Sequence, residues 1–144
     1  MRISLASDHA GYEYKEAIKG FLRGGGHKIE DFGTDSTESC DYPIFIRLAA
    51  EAVASGQYDR GIVLGGSGNG EAICANKVVG IRCALCWNTT TATLARSHNN
   101  ANMLSIGQRM VALDTTLQMV RAWLDTPFEG GRHQRRIDQL ESSR

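Results

Sequence analysis

The segment Gly65-Gly66-Ser67-Gly68-Asn69-Gly70-Glu71 is the part of this chain best suited to chemistry. It lies between a short apolar strand pattern and the start of a helical one. Backbone N–H groups of such a loop can face a ligand, and the helix N-terminus favours negative charge beside them. A nucleotide phosphate is the first ligand to consider, and the spacing argues against it. A Walker loop needs Lys and Ser/Thr after its last glycine, where this chain has Glu71-Ala72. A dinucleotide loop starting at Gly66 needs a third glycine at position 71, and it follows the first strand rather than the third. Glu71 would repel a resident phosphate. The loop therefore suits a negative charge that appears transiently, with Glu71 acting on a proton nearby. The plainer alternative is a tight turn with a solvated glutamate in the first turn of a helix, where Glu is common.

Asp8 and His9 follow the first strand pattern, and His98 falls in the run SHNNAN at a helix end. A lone histidine is most often structural; two at loop or helix-end positions of an α/β chain raise the functional reading. Arg132 and Arg136 are four apart on a helical pattern and share a face, with Arg135 beside them. No acid is interleaved, which suits a phosphate better than an internal ion pair. A solvated basic helix is the alternative. Cys83 and Cys86 form a CxxC inside IRCALCW, which reads as a strand. Positions three apart on a strand point to opposite faces, so the pair cannot share a metal and reads as packing thiols.

Positioning these residues takes alternating strands and helices. Strand patterns cover Arg2–Ala6, His27–Phe32, Gly61–Leu64, Ile81–Trp87 and Met103–Ile106. Helical spacing covers Tyr12–Arg23, ended by Gly24-Gly25-Gly26. A second helix starts at Pro43, with Ile44, Leu48 and Ala52 as its stripe and Phe45, Ala49 and Val53 flanking. Further helices run from the glycine loop to about Val78, over Thr89–Ser97, from an N-cap at Asp114 through Leu124, and over Arg132–Glu141. Such alternation predicts a parallel sheet with helices on both faces. Ligands of such sheets bind beyond the carboxyl ends of the strands. Ser7-Asp8-His9, the glycine loop and Gly107-Gln108-Arg109 all occupy such ends.

With 144 residues the chain is long enough for one domain, spanning 1–144, with a core of its own. Sixteen basic residues balance sixteen acidic ones, which argues against a dedicated nucleic-acid binder. No apolar run approaches the roughly 18 residues of a membrane span. The apolar stretch before Asp8 is too short for a signal peptide. With four cysteines expected to be reduced, the reading is a cytoplasmic protein without membrane attachment.

Several motifs occur together in a characteristic order: SDHAGYEYK from Ser7, Asp41-Tyr42-Pro43, GGSGNGE through Lys77, Gly80-Ile81-Arg82, HNNAN from His98, Gly107-Gln108-Arg109 and EGGRHQRRI from Glu129. Over about residues 2–140 the chain resembles the type B ribose-5-phosphate isomerases and related sugar-phosphate isomerases. The resemblance implies a Rossmann-like, three-layer α/β/α sandwich around a five-stranded parallel sheet. It also implies aldose–ketose interconversion of a sugar phosphate with no metal and no organic cofactor. In one branch of the family a Cys opens the glycine loop; Gly65 stands there instead. Glu71 matches the branch whose base is a glutamate, as in the actinobacterial enzymes.

The roles implied follow residue by residue. His98 protonates the ring oxygen, with Asp8 near the sugar hydroxyls. Glu71 moves the proton between C2 and C1 through a cis-enediolate, whose charge meets the backbone of Gly66, Ser67, Gly68, Asn69 and Gly70. Ser67 and Asn99 hold hydroxyls, and Tyr42 joins the substrate pocket. His9, Arg109, Arg132 and Arg136 take the phosphate. The family also implies a homodimer with shared sites, sometimes a tetramer, with His98, Asn99 and Arg109 reaching across and the last helix adding dimer contacts. Relatives isomerising tetrose, allose or galactose phosphates share these motifs, with Gly33–Tyr42 and Cys86–Thr90 as the natural selectors. A non-catalytic flavodoxin-like or receiver-like module is the other class; a receiver needs an Asp after strand three, where this chain has glycine.

Overall fold

A computed structural model describes residues 1–142; Ser143 and Arg144 lie outside the described residues. Five strands form one sheet: β1 Arg2–Ser7, β2 Lys28–Asp31, β3 Arg60–Gly65, β4 Cys83–Leu85 and β5 Met103–Gly107. Six helices alternate with them: α1 Tyr12–Gly24, α2 Tyr42–Ala54, α3 Asn69–Asn76, α4 Thr89–Asn99, α5 Leu113–Asp125 and α6 Arg132–Glu141. All strand pairs are parallel, in the order β2-β1-β3-β5-β4.

The strands are apolar on both faces because both faces are covered. Ile3 and Leu5 of β1, Ile62 and Leu64 of β3, and Leu104 and Ile106 of β5 pack with α1, α4 and α5 around the fully buried Trp123. Ala6, Val63 and Met103, from the alternate positions, pack with α2 and α3. This is the three-layer α/β arrangement that the alternation of elements implies. Cys86 belongs to the first of these cores and Cys83 packs against the second, so the CxxC is split between faces.

Three local expectations need correction. The fourth strand is three residues long rather than seven. At its N-terminal end the backbone spends hydrogen bonds on side chains: Cys83 N–H donates to Asn76 Oδ1 at 2.8 Å and Arg82 N–H to Asn102 Oδ1 at 2.8 Å. Asp114 is not an N-cap; α5 begins at Leu113 with Ala112 at its cap, and Asp114 sits in the first turn. Of the stripe Ile44, Leu48 and Ala52 only Ala52 is buried; Ile44 and Leu48 are 61% and 51% exposed, while the flanking Ala49 and Val53 face the core with Ile46 and Ala50. Small alanines let α2 approach the sheet closely, so the bulkier stripe is the one left outside.

Candidate active site

Strand order reverses between β1 and β3: the chain leaves β1 for β2 on one side and returns to β3 on the other. The crevice beyond such a switch point is where open α/β sheets bind ligands. Asp8 leaves the end of β1 there and is 7% exposed. Its Oδ1 accepts from the N–H groups of Ala10 at 2.9 Å and Gly11 at 3.2 Å, capping the short turn His9–Gly11. That locks the carboxylate in place and leaves Oδ2 for other partners. His9 Nδ1 lies 4.0 Å from that Oδ2 and accepts from Cys40 N–H at 3.2 Å. The ring is thereby oriented by the loop ahead of α2, with Nε2 as the nitrogen left to donate.

The glycine loop is strapped to the end of β5. Gln108 N–H donates to Gly65 O at 2.9 Å, Arg109 N–H to Gly66 O at 3.0 Å, and the buried Ser105 hydroxyl to Gly68 O at 2.7 Å. Gly68 caps α3 with φ of +82°, a conformation glycine adopts without strain. Glu71 falls in the first turn of α3, and its side chain turns inward: the residue is only 4% exposed. The space it occupies exists because position 65 has no side chain. A Cβ on Gly65 would lie 2.0 Å from Glu71 Oε1 and 2.5 Å from Oε2. A side chain at position 65 would therefore force the Glu71 carboxylate out of this seat.

Burial pushes the Glu71 carboxyl above its ordinary value; its own backbone N–H opposes that, and the charge of Asp8 adds to the rise. A partly desolvated carboxylate next to a second carboxylate is tuned toward accepting a proton. The cysteines are tuned away from such work. Burial raises the thiols of Cys74 and Cys83, and pushes that of Cys86 up to about 11. The Tyr42 ring closes on Gly70, where a Cβ would stand 2.6 Å from Cζ. The Arg109 guanidinium lies over Gly66, with Nη1 2.9 Å from where a Cβ would be. Asp8, His9, Tyr42, residues 65–71 and Arg109 thus gather at one end of the sheet, and Ser67 and Asn69 are exposed at its mouth.

The remaining candidates gather elsewhere. His98, Asn99 and Arg136 line a cleft beside β4 with Leu85, Cys86 and His133, and neither Asp8 nor Glu71 lines it. Arg132 and Arg136 are exposed on α6. The His98 ring stacks on His133 at 4.2 Å between centroids and 10° between planes. Glu129 Oε2 lies 3.9 Å from His98 Nε2 and 3.4 Å from His133 Nε2. Burial lowers the His133 pKa, and the nearby charges of His98 and Arg132 lower it further. These three side chains are the group among the described residues that could hold a metal ion. Reading the chain for chemistry passes over Glu129 and His133, although their spacing across Gly130-Gly131 was a signal. It also passes over Lys15, which is 1% exposed and pairs with Asp31 and Glu16.

A buried carboxylate at the mouth of a parallel sheet, under a glycine-rich helix start and beside cationic groups, has the make-up needed to move a proton on an anionic substrate. The chain belongs to the ribose/galactose isomerase family, whose profile matches residues 3–140. It is 51% identical over 142 residues to the ribose-5-phosphate isomerase B of Mycobacterium leprae, covering 97% of this chain and 88% of that one. It is 41% identical over 139 residues to the Escherichia coli ribose-5-phosphate isomerase B, covering 96% and 93%. Among solved structures, the Clostridium thermocellum ribose-5-phosphate isomerase B superimposes with a TM-score of 0.98 at 48% identity, covering 99% and 97%. The Mycoplasma genitalium ribose-5-phosphate isomerase B with bound ribulose 5-phosphate gives 0.96 at 39% identity, covering 99% and 95%. No helix of the described residues is long and apolar enough to cross a membrane.

Proposed function

We propose that this chain interconverts ribose 5-phosphate and ribulose 5-phosphate, with Glu71 as the base. The observation that carries this reading is the buried Glu71 carboxylate, seated in the space left by Gly65 and raised in pKa by burial and Asp8. His98 protonates the ring oxygen as its bond to C1 breaks, and the anomeric hydroxyl gives its proton to the Asp8 carboxylate beside the sugar hydroxyls, leaving the open aldose. Glu71 takes the proton from C2, and the electron pair moves through C1–C2 onto the carbonyl oxygen. The cis-enediolate oxygen is met by backbone N–H groups of residues 66–70, each worth about 3–4 kcal/mol when aimed at developing charge. Glu71 then delivers the proton to C1 while the O2 hydroxyl proton passes to O1, and the ketose carbonyl forms at C2. Ser67, Asn99 and Tyr42 hold the sugar. His9, Arg109, Arg132 and Arg136 hold the phosphate, so that binding energy far from the reacting carbons orients them.

The separation of the cleft lined by His98, Asn99 and Arg136 from Glu71 supports a working site assembled from two copies of the chain in a homodimer. The last helix serves both the phosphate and the dimer contact, and pairs of dimers can form a tetramer. Ile44, Leu48, Ile73 and Val79 are 51–72% exposed on α2, on α3 and just after it, an apolar surface that a second copy would cover. The four free cysteines fit a reducing cytoplasm.

The test compares wild type with Glu71→Gln on ribose 5-phosphate, with light scattering on the same samples. Turnover by a wild-type dimer that collapses in the variant, while substrate still binds, supports the assignment. Retained turnover removes Glu71 from the role, and full activity in a monomer removes the shared site. A dimer inactive on ribose 5-phosphate but active on a tetrose or hexose phosphate keeps the class and changes the substrate.

A further inference from the structure

We propose that His98, Glu129 and His133 form a binding site for one zinc-class divalent cation, and that filling it withholds His98 from catalysis. The second clause rests on His98 being the ring-opening acid; the first does not. The donor atoms of the three residues all lie within 4.8 Å of one another. Tetrahedral zinc with ligands at about 2.0–2.2 Å places its donors about 3.3–3.5 Å apart. The His133–Glu129 separation of 3.4 Å already meets that, and the His98–Glu129 separation of 3.9 Å is close. Side-chain adjustment alone completes the set.

The backbone holds this geometry. Glu129 N–H donates to Ser97 O at 3.0 Å, pinning the carboxylate's segment beside the last turn of α4. Gly130 and Gly131, at φ of +68° and +55°, then turn the chain so that His133 enters α6 next to Glu129. The His98 and His133 rings are stacked, parallel to within 10° at 4.2 Å between centroids, so the more exposed His98 ring must rotate before both nitrogens meet one ion. The nitrogen His133 Nε2 is the second, independent observation. His133 is 7% exposed, and this atom has no hydrogen-bond partner although it faces Glu129. The contact to Glu129 Oε2 at 3.4 Å is too long for a good hydrogen bond, which leaves this nitrogen available as a ligand. Two imidazoles and a carboxylate suit zinc and its late first-row neighbours, whereas magnesium and calcium prefer all-oxygen sets. In the single chain the His98 and Glu129 side chains are 38% and 57% exposed.

The experiment titrates the metal-free full-length protein with Co²⁺ alone and then displaces it with Zn²⁺, following the visible cobalt bands and the heat of binding. One ion per chain is expected, with tetrahedral bands and no cobalt–thiolate charge transfer. Glu129→Gln weakens binding at least tenfold, as does His133→Asn; the exposed Glu129 carries the test if the buried His133 variant folds poorly. In the isomerase assay Zn²⁺ inhibits wild type at concentrations tracking its Kd, and a chelator reverses it. The Glu129→Gln variant keeps its basal turnover and tolerates at least tenfold more zinc. Absence of stoichiometric binding, thiolate bands, or binding indifferent to Glu129→Gln overturns the site. Binding as described without inhibition overturns the second clause alone, and leaves the role of Glu71 untouched.

Discussion

Replacing Gly65 by alanine isolates the position of the Glu71 carboxylate from its chemistry. Gly65 is not among the glycines with positive φ, so alanine suits its backbone. The added methyl would stand 2.0 Å from Glu71 Oε1 and 2.2 Å from Cδ. Non-bonded heavy atoms settle near about 3.5 Å, so the carboxylate must move by about 1.5 Å. A misplacement of about 1 Å at a reacting group costs about 100-fold in rate, so kcat should fall at least that far, about 2.7 kcal/mol of barrier. KM should change little, because the phosphate-holding side chains are not displaced. Stability should change little, because the atoms that must move are the far end of the flexible Glu71 side chain. The assay is initial-rate conversion of ribose 5-phosphate, beside a thermal melt to show the variant folded. A double-mutant cycle with Glu71→Gln sharpens it: alanine should cost almost nothing once the carboxylate is gone. A folded Gly65→Ala protein within about fivefold of wild-type kcat would refute the reasoning, since a 100-fold penalty is the least that the displacement implies.

Two further outcomes follow from the charges around the site and the sheet. The Glu71 carboxyl titrates above its ordinary 4.5, so the acid limb of kcat/KM should lie above pH 4.5; Asp8→Asn removes one cause of the rise and should move that limb to lower pH, whatever it does to the rate. An acid limb unmoved by Asp8→Asn would show that the titrating group is not Glu71. Asp31 is pushed up by burial but held below 3.8 by hydrogen bonds from Lys15 and Lys19, so its contribution to stability is present above pH 3.8 and is lost as pH falls through the lowered value. Asp31→Asn strands the buried Lys15 charge and should cost about 3 kcal/mol, the low end for a broken buried pair because Glu16 remains. A melt within a degree of wild type at pH 7, or an unchanged acid denaturation profile, would count against that network.

Much of the site is legible along the chain because it is local. The glycine run, the glutamate after it and the alternation of apolar strands with amphipathic helices each depend on neighbours a few residues away. That is enough to exclude a Walker or dinucleotide loop and to point to proton chemistry at Glu71. Other features depend on contacts far apart in sequence. The inward turn of Glu71 needs the bare Cα of Gly65 and the strap from Ser105 to Gly68. The burial of Lys15 needs Asp31 on the neighbouring strand. The bulky apolar residues Ile44 and Leu48 of α2 face outward, because close approach to the sheet favours the small Ala49 and Ala50. Glu129 and His133 acquire a partner in His98 only when α6 folds back on α4.

The sequence by itself determined the class of fold, the identity of the loop residues and the order in which they meet the ends of the strands. Hydrophobic period and glycine placement act over single turns and strands, and they survive in one dimension. Strand order, the seat of the carboxylate and the pairing of His98 with Glu129 and His133 were decided by the tertiary structure alone. Each arises from steric exclusion or charge proximity between segments that only the packed sheet brings within a few ångströms.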